Sequence, residues 1–189
     1  ALEAKDVRYK LEGYLYPATY YVGKNGTLED LVTKMVAKSD EMLKPYYNEI
    51  KNKKWTVQKT LTLASLVERE GVTQKDRYQI AGVFENRLDK DMKIQSDISV
   101  LYALGKYKKT VTYKDLEVDS PYNLYKNEGV GPGPFNSPSI ASVKAVLNPS
   151  ERSQGYLYFI ANMKTGKVYY SKTYAEHQAL TKKLQKDND

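Results

Sequence analysis

Cysteine is absent from this chain of 189 residues, and histidine occurs once, as His177. The first absence excludes disulfides, thiolate nucleophiles and cysteine-ligated zinc. The second excludes a multi-histidine metal site and leaves a single candidate for any serine–histidine dyad. Carboxylates remain as the acid/base candidates. No apolar run reaches the roughly eighteen residues a membrane span needs, and the first residues lack the charged-then-apolar layout of a signal peptide. Repeats and low-complexity tracts are also missing.

What is present describes an ordinary globular protein. Hydrophobic residues make up 41% and charged residues 28%, which fits neither a disordered nor a collagenous chain. The length suits one substantial core, so residues 1–189 are read as one domain. Thirty Lys plus Arg against twenty-three Asp plus Glu leave a net charge of +7, which favours nucleic acid, anionic lipid or an acidic wall polymer as neighbour. The lysines are scattered with acids between them and no nucleic-acid motif occurs, so no nucleic-acid partner is expected. Tyrosine outnumbers phenylalanine eighteen to three, placing rings with an apolar face and a hydroxyl where both are useful, at surfaces and clefts.

Periodicity and caps predict mostly helices. Residues 11–22 read as an extended, partly edge-exposed segment broken by Pro17. Thr27 to Asp30 forms a capping box that opens a helix running to about Leu43, before Pro45. Thr56 caps a second long helix that stops at Gly71. A third runs from Thr73 or Lys75 to Leu88, with Ile80, Ala81, Val83, Phe84 and Leu88 on one stripe. A shorter one starts at Ser96 or Asp97 and ends near Gly105. A helix-like turn, TYKDLEV, precedes a long irregular loop over 120–138, and Pro138 is read as the first residue of a helix through SIASVKAVL. YLYFIAN and KVYYSKT flank Met163 to Gly166 as a β-hairpin, after which Thr173 and Glu176 cap a closing helix. Helices followed by a hairpin, without βαβ alternation, predict an α+β domain.

On a wheel of the second long helix, Leu66, Leu63, Val67, Ala64, Val57 and Leu61 share one apolar arc. Two acids fall within it: Glu70 between Leu66 and Leu63, and Glu68 between Val57 and Leu61. A carboxylate on such an arc is costly unless paired or protonated. Glu70 also sits at the helix C-terminus, where the dipole disfavours negative charge. Both effects raise its pKa and suit it to protonate a leaving group, as glycosidic cleavage requires. A glutamate at a helix edge is more often simply paired with Lys or Arg, and helical geometry does not separate Glu70 from Glu68.

Eight blocks carry a resemblance over nearly the whole chain: LEGYLYPATY, ASLVEREG, VFENRL, MKIQSDISVLYAL, SPYNLY, GPGPF, YLYFIAN and SKTYAEH. In this order they resemble the endolytic murein transglycosylases, the MltG or YceG-like family, in its Gram-positive form. The chain departs from the family pattern at Ala18 (aspartate), Val130-Gly131-Pro132 (Leu-Pro-Pro), Ser137-Pro138-Ser139 (Asn-Pro-Gly) and Gln178 (asparagine). None of these touches the glutamate block. The resemblance implies a mainly helical, lysozyme-like catalytic domain and selects Glu70 as the catalytic acid. It further implies cleavage between N-acetylmuramic acid and N-acetylglucosamine in nascent peptidoglycan, with the muramic acid's own C6 hydroxyl closing a 1,6-anhydro end, and with no cofactor or metal.

The same resemblance suggests substrate contacts at Gln95, Ser96 and Asp97, at Tyr122, Asn123 and Tyr125, and at Asn86, Tyr14 and Glu12. Plainer roles compete: Ser96 and Asp97 as helix caps, Asn123 in an Asx turn, Arg87 complementing a helix dipole, and Glu12 and Tyr14 pinning their segment. His177 is read as a helix-start histidine without catalytic role, and Glu176 as a cap. By the same resemblance the domain belongs on the extracytoplasmic face of the cell membrane, on a protein anchored by a transmembrane helix and carrying a LysM-like lobe. Neither is found in these residues, which open at Ala1, so both are expected outside them. Peptidoglycan strands and proteins of a wall-synthesis complex are the expected partners. Rival readings are a non-catalytic wall-binding scaffold and a hydrolase in which Asp97 activates water.

Overall fold

Thr27 is extended (φ −97°, ψ 167°), and its hydroxyl and backbone exchange hydrogen bonds with Asp30, the reciprocal capping that starts α1, Leu28–Leu43. In this computed structural model, which describes residues 5–162 and 164–188, Pro45 then turns the chain through a 3-10 turn, Lys44–Tyr46. A short helix α2, Tyr47–Asn52, follows. It carries too few residues to show a periodicity and is absent from the sequence expectations. Next come α3 (Val57–Glu70, capped by Thr56), α4 (Gln74–Leu88, with the Thr73/Asp76 capping box) and α5 (Asp97–Leu104, closed by Gly105 at φ 64°). A 3-10 turn at Asp115–Glu117 and a long loop lead to α6, Ile140–Leu147. Strands β1 (Tyr158–Ala161) and β2 (Val168–Ser171) and helix α7 (Tyr174–Asn188) close the chain. The α+β expectation holds.

The core forms where α3, α4 and α6 pack on one another. Leu63, Leu66, Val67, Ile80, Phe84, Val143 and Val146 are essentially inaccessible, and burying each such side chain is worth roughly 1.5–3 kcal/mol. The middle of α3 is buried all round, Thr60, Thr62 and Ser65 included. Their hydroxyls donate to the carbonyls of Thr56, Gln58 and Thr62 within the helix, so no polar group is stranded. At Gly82 on α4 an added Cβ would sit 2.5 Å from the Ser150 carbonyl oxygen. Glycine lets the chain leaving α6 lie directly on that helix, where the Ser150 amide donates to the Tyr78 carbonyl.

The hairpin pairs Tyr158 with Ser171, Phe159 with Tyr170, Ile160 with Tyr169 and Ala161 with Val168. Two strands alone are marginal in water. Here α7 packs on both, and Phe159 meets Phe84 of α4 edge-on, with centroids 5.8 Å apart. The Asn162 side chain accepts from the amides of Lys164 and Thr165 and shapes the turn; Met163 lies outside the described residues.

Two expectations are corrected. The segment read as extended from residue 11 begins instead with turns over 10–14, because the amides of Glu12 and Tyr14 bond to the carbonyls of Tyr9 and Leu11 just before them. Helix α6 starts at Ile140 rather than Pro138. Ser139 is its cap, and Glu68 accepts both the amide and the hydroxyl of Ser139, holding that residue out of the helix.

Candidate active site

Helix α3 ends at Glu70 because the chain must turn at Gly71, whose amide closes the last turn on the Val67 carbonyl. Gly71 is not left-handed (φ −90°), so its need for glycine is room: a Cβ there would lie 2.6 Å from Arg77 Cγ. This tight corner seats the end of α3 against α4 and beside the segment that opens α5. There Ser96 Oγ donates to Glu70 Oε1 at 2.6 Å. Ser96 stands at the cap position of α5, yet its side chain makes no capping bond. Its hydroxyl serves the glutamate instead.

Burial is the main cause that raises the Glu70 pKa, and the Asp97 charge adds to it; the Ser96 hydrogen bond and Arg69 oppose them without prevailing. Among the described residues no ion pair reaches Glu70. Glu68 has the contrary environment. Its Oε2 accepts from the Ser139 amide at 3.1 Å, the Ser139 hydroxyl at 2.6 Å and the Ser142 hydroxyl at 2.7 Å. Its Oε1 lies 3.5 Å from Arg77 Nη2. Burial pushes its pKa up, but these bonds and the Arg77 charge outweigh burial and bring it below the ordinary value. The two glutamates that the helical wheel left alike thus differ in their surroundings: Glu68 ties α3 to α6 through two serines and faces Arg77, whereas Glu70 has one hydroxyl and, among the described residues, no ion pair.

Glu70 borders a cleft of about 430 Å³. Gln95, Ser96, Asp97 and Tyr125 line it as well. Gln95 adopts φ 55°, an unfavourable conformation for a residue other than glycine. It is held there by its amide on the Leu124 carbonyl at 3.1 Å and by Arg87 Nη2 on its Oε1 at 2.5 Å. Asp97 Oδ1 accepts from the Tyr125 hydroxyl at 2.6 Å. Burial, then the Asp97 partner, push the Tyr125 phenol far up, so it is a permanent donor.

The remaining predicted contacts stand elsewhere. Tyr122 is buried between Tyr102 and Phe135 and accepts from the Arg8 amide. Asn123 is wholly buried: its amide donates to the carbonyls of Leu116 and Val118, and its oxygen accepts from the Tyr125 amide. Asn86 donates to the Tyr156 carbonyl at 3.0 Å and braces the approach to the hairpin. Tyr14 donates to Gln58, and Glu12 accepts from Tyr102. None of the five lines the cleft; Tyr122, Asn123 and Asn86 are buried, and Glu12 and Tyr14 are half-buried. Among the described residues no group of three or more His, Asp or Glu side chains is placed to hold a metal ion.

With this geometry in place, the YceG-like family matches residues 1–183. The chain belongs to that family. An endolytic murein transglycosylase of Streptococcus pneumoniae (serotype 2, strain D39 / NCTC 7466) is 46% identical over 184 residues, covering 94% of this chain and 33% of that protein. An endolytic murein transglycosylase of Bacillus subtilis (strain 168) is 45% identical over 180 residues, covering 95% of this chain and 49% of that protein. The chain thus spans from one third to half the length of these relatives. The crystal structure of a YceG-like protein from Listeria monocytogenes superposes with a TM-score of 0.88 at 50% identity, over 93% of this chain and 57% of that one.

The YceG-like cleft also contains residues that sequence reasoning passed over. Arg87, read as a dipole complement, is buried and donates to the carbonyls of Lys93 and Leu157 as well as to Gln95. Tyr158, Tyr174 and His177 line the cleft from β1 and α7. Their blocks, VFENRL, YLYFIAN and SKTYAEH, were visible in the sequence; that they meet near Glu70 was not, because periodicity carries no information across such separations.

Proposed function

We propose that this chain is the catalytic domain of an endolytic lytic transglycosylase acting on nascent peptidoglycan, with Glu70 as acid and then base. The observation that carries this reading is a half-buried glutamate on a cleft wall, held by one hydroxyl and, among the described residues, no ion pair, in a chain of the YceG-like family. Relatives named endolytic murein transglycosylase support the substrate class.

In this mechanism neutral Glu70 gives its proton to the oxygen joining N-acetylmuramic acid to N-acetylglucosamine, and the latter leaves with a free hydroxyl. Positive charge builds at the muramic acid C1. The new carboxylate takes the proton from that sugar's C6 hydroxyl as its oxygen bonds to C1, closing the 1,6-anhydro ring. Glu70 ends protonated and no water is consumed. The C6 hydroxyl is tethered to the reacting carbon, and such intramolecular groups reach effective concentrations of roughly 10⁵ M or more. One carboxyl group therefore suffices. Asp97, whose charge is engaged by Tyr125, helps keep Glu70 protonated. A peptidoglycan substrate suits a domain on the extracytoplasmic face of the membrane, in an anchored protein working beside the proteins that build the wall.

Mass spectrometry of uncrosslinked glycan strands digested by this chain and by Glu70→Gln tests the reading. Internal fragments with anhydro ends from the parent alone are the expected result. Reducing ends would indicate hydrolysis, equal products from both proteins would remove Glu70 from the chemistry, and uncut strands that stay bound would favour a scaffold.

A further inference from the structure

The SKTYAEH block has no part in the proton transfers at Glu70, yet it brings two rings to the same cleft. Tyr174 and His177 lie three residues apart on α7, on one face of the helix. His177 stacks on Tyr158 of β1 with centroids 5.3 Å apart and planes 23° apart. Tyr174 closes the triangle, 5.9 Å from Tyr158 and 6.5 Å from His177. Behind them the Arg87 guanidinium lies 5.4 Å from the Tyr158 centroid, fixed by its three hydrogen bonds. The cluster is thus anchored to the same arginine that holds Gln95.

Two features are unexplained by packing. Tyr174 is 59% exposed, an aromatic ring left open on the cleft wall. Nδ1 of His177 is buried and has no hydrogen-bond partner among the described residues. Capping of α7 accounts for neither, since Glu176 supplies it by accepting from the amides of Lys172 and Thr173. Burial and the nearby Arg87 charge lower the His177 pKa, so the ring is neutral near pH 7, with one nitrogen donating and one accepting. A wall of this kind combines apolar ring faces with a neutral polar group. A pyranose presents the complement: an apolar face of C–H bonds, and hydroxyl or acetamido groups at its rim.

We propose that Tyr158, Tyr174 and His177 form a sugar-binding subsite of this cleft, which takes the N-acetylated hexosamine next to the bond that Glu70 protonates. The proposal rests on the transglycosylase reading of Glu70. Tyr174 supplies the stacking surface, and Nε2 of His177, the ring nitrogen that is not buried, meets the sugar's polar rim. In this role the hairpin and α7 are the substrate-holding half of the site, and α3 with the start of α5 the reacting half.

The chain's single histidine makes the test direct. The Glu70→Gln protein is titrated with a soluble tetrasaccharide of alternating N-acetylglucosamine and N-acetylmuramic acid, while NMR follows the His177 imidazole signals and the Ser96 amide. Both are expected to shift with one saturation curve. Adding Tyr174→Ala should weaken binding about five- to tenfold, and Tyr174→Phe should keep it within about twofold, since the ring and not its hydroxyl does the stacking. Saturating shifts at Ser96 with His177 unmoved and an unchanged Kd for Tyr174→Ala would overturn the subsite and leave Glu70's role intact. No binding at either reporter would overturn the subsite and the transglycosylase reading together.

Discussion

Glu68 and Glu70 stand two residues apart on one helix, and their surroundings shift their acidities in opposite directions. Glu68 meets two serine hydroxyls, a backbone amide and a nearby guanidinium, all of which favour the anion. Glu70 meets a single hydroxyl, and the charge of Asp97 disfavours the anion further. Burial raises the pKa of both, and only at Glu68 do hydrogen bonds and a cation outweigh it. What separates the two is whether the fold supplies enough donors to repay lost hydration.

The sharpest way to break this comparison is to exchange the roles. Glu70→Gln should lower the rate of strand cleavage by at least about 10²- to 10⁴-fold, the span usual for a lost general acid, measured by release of anhydro-ended fragments. Its fold should survive. A group whose folded pKa is raised is most stabilising below the ordinary carboxylate pKa, and that contribution is lost as pH rises through the folded pKa. Glu70→Gln should therefore melt higher than the parent at neutral pH, and the gap should narrow as pH falls to the ordinary carboxylate range.

Glu68→Ala should do the reverse. It strands the hydroxyls of Ser139 and Ser142 where α6 begins, at a cost of about 1–3 kcal/mol in denaturant melts, with the product chemistry unchanged. Its lowered pKa gives the opposite pH sense. The stability it adds is present above the ordinary carboxylate pKa and is lost as pH falls through the lower folded pKa.

Ser96→Ala sharpens the comparison by leaving Glu70 with no hydrogen-bond donor. Ser96 lowers the Glu70 pKa, so its loss should move the alkaline limb of the pH–rate profile upward and slow cleavage about tenfold at its optimum. Tyr125→Phe is the mildest. Freeing Asp97 should change KM a few-fold and leave kcat close to the parent's, since the phenol holds a wall residue and not the proton.

The parts of this account legible in the sequence are those with local causes. Thr27, Thr56 and Thr73 announce three helix starts because caps act within one turn, and Glu70 stands out because an acid on an apolar arc at a helix end is anomalous within fourteen residues. Glu68 was equally anomalous on the wheel. Its explanation lies at Ser139 and Ser142, more than seventy positions away, where no periodicity reaches. Asn123 was misplaced for a related reason: a polar side chain in an irregular loop looks available for ligand until the carbonyls of Leu116 and Val118 claim it. Residues 11–22 had the composition of a strand, but the amides of Glu12 and Tyr14 found partners within their own turn. His177 looked like an ordinary helix-start residue because nothing local shows that β1 lays Tyr158 across it.

The most direct measurement is an NMR titration of the side-chain carboxyl carbons of all glutamates, with Glu70 and Glu68 assigned by the loss of one signal each in Glu70→Gln and Glu68→Gln. The account predicts that Glu70 titrates above the ordinary glutamate value of 4.5 and Glu68 below it. A Glu70 midpoint at or below that of Glu68 would contradict it, because the residue would then be an anion with no proton to give.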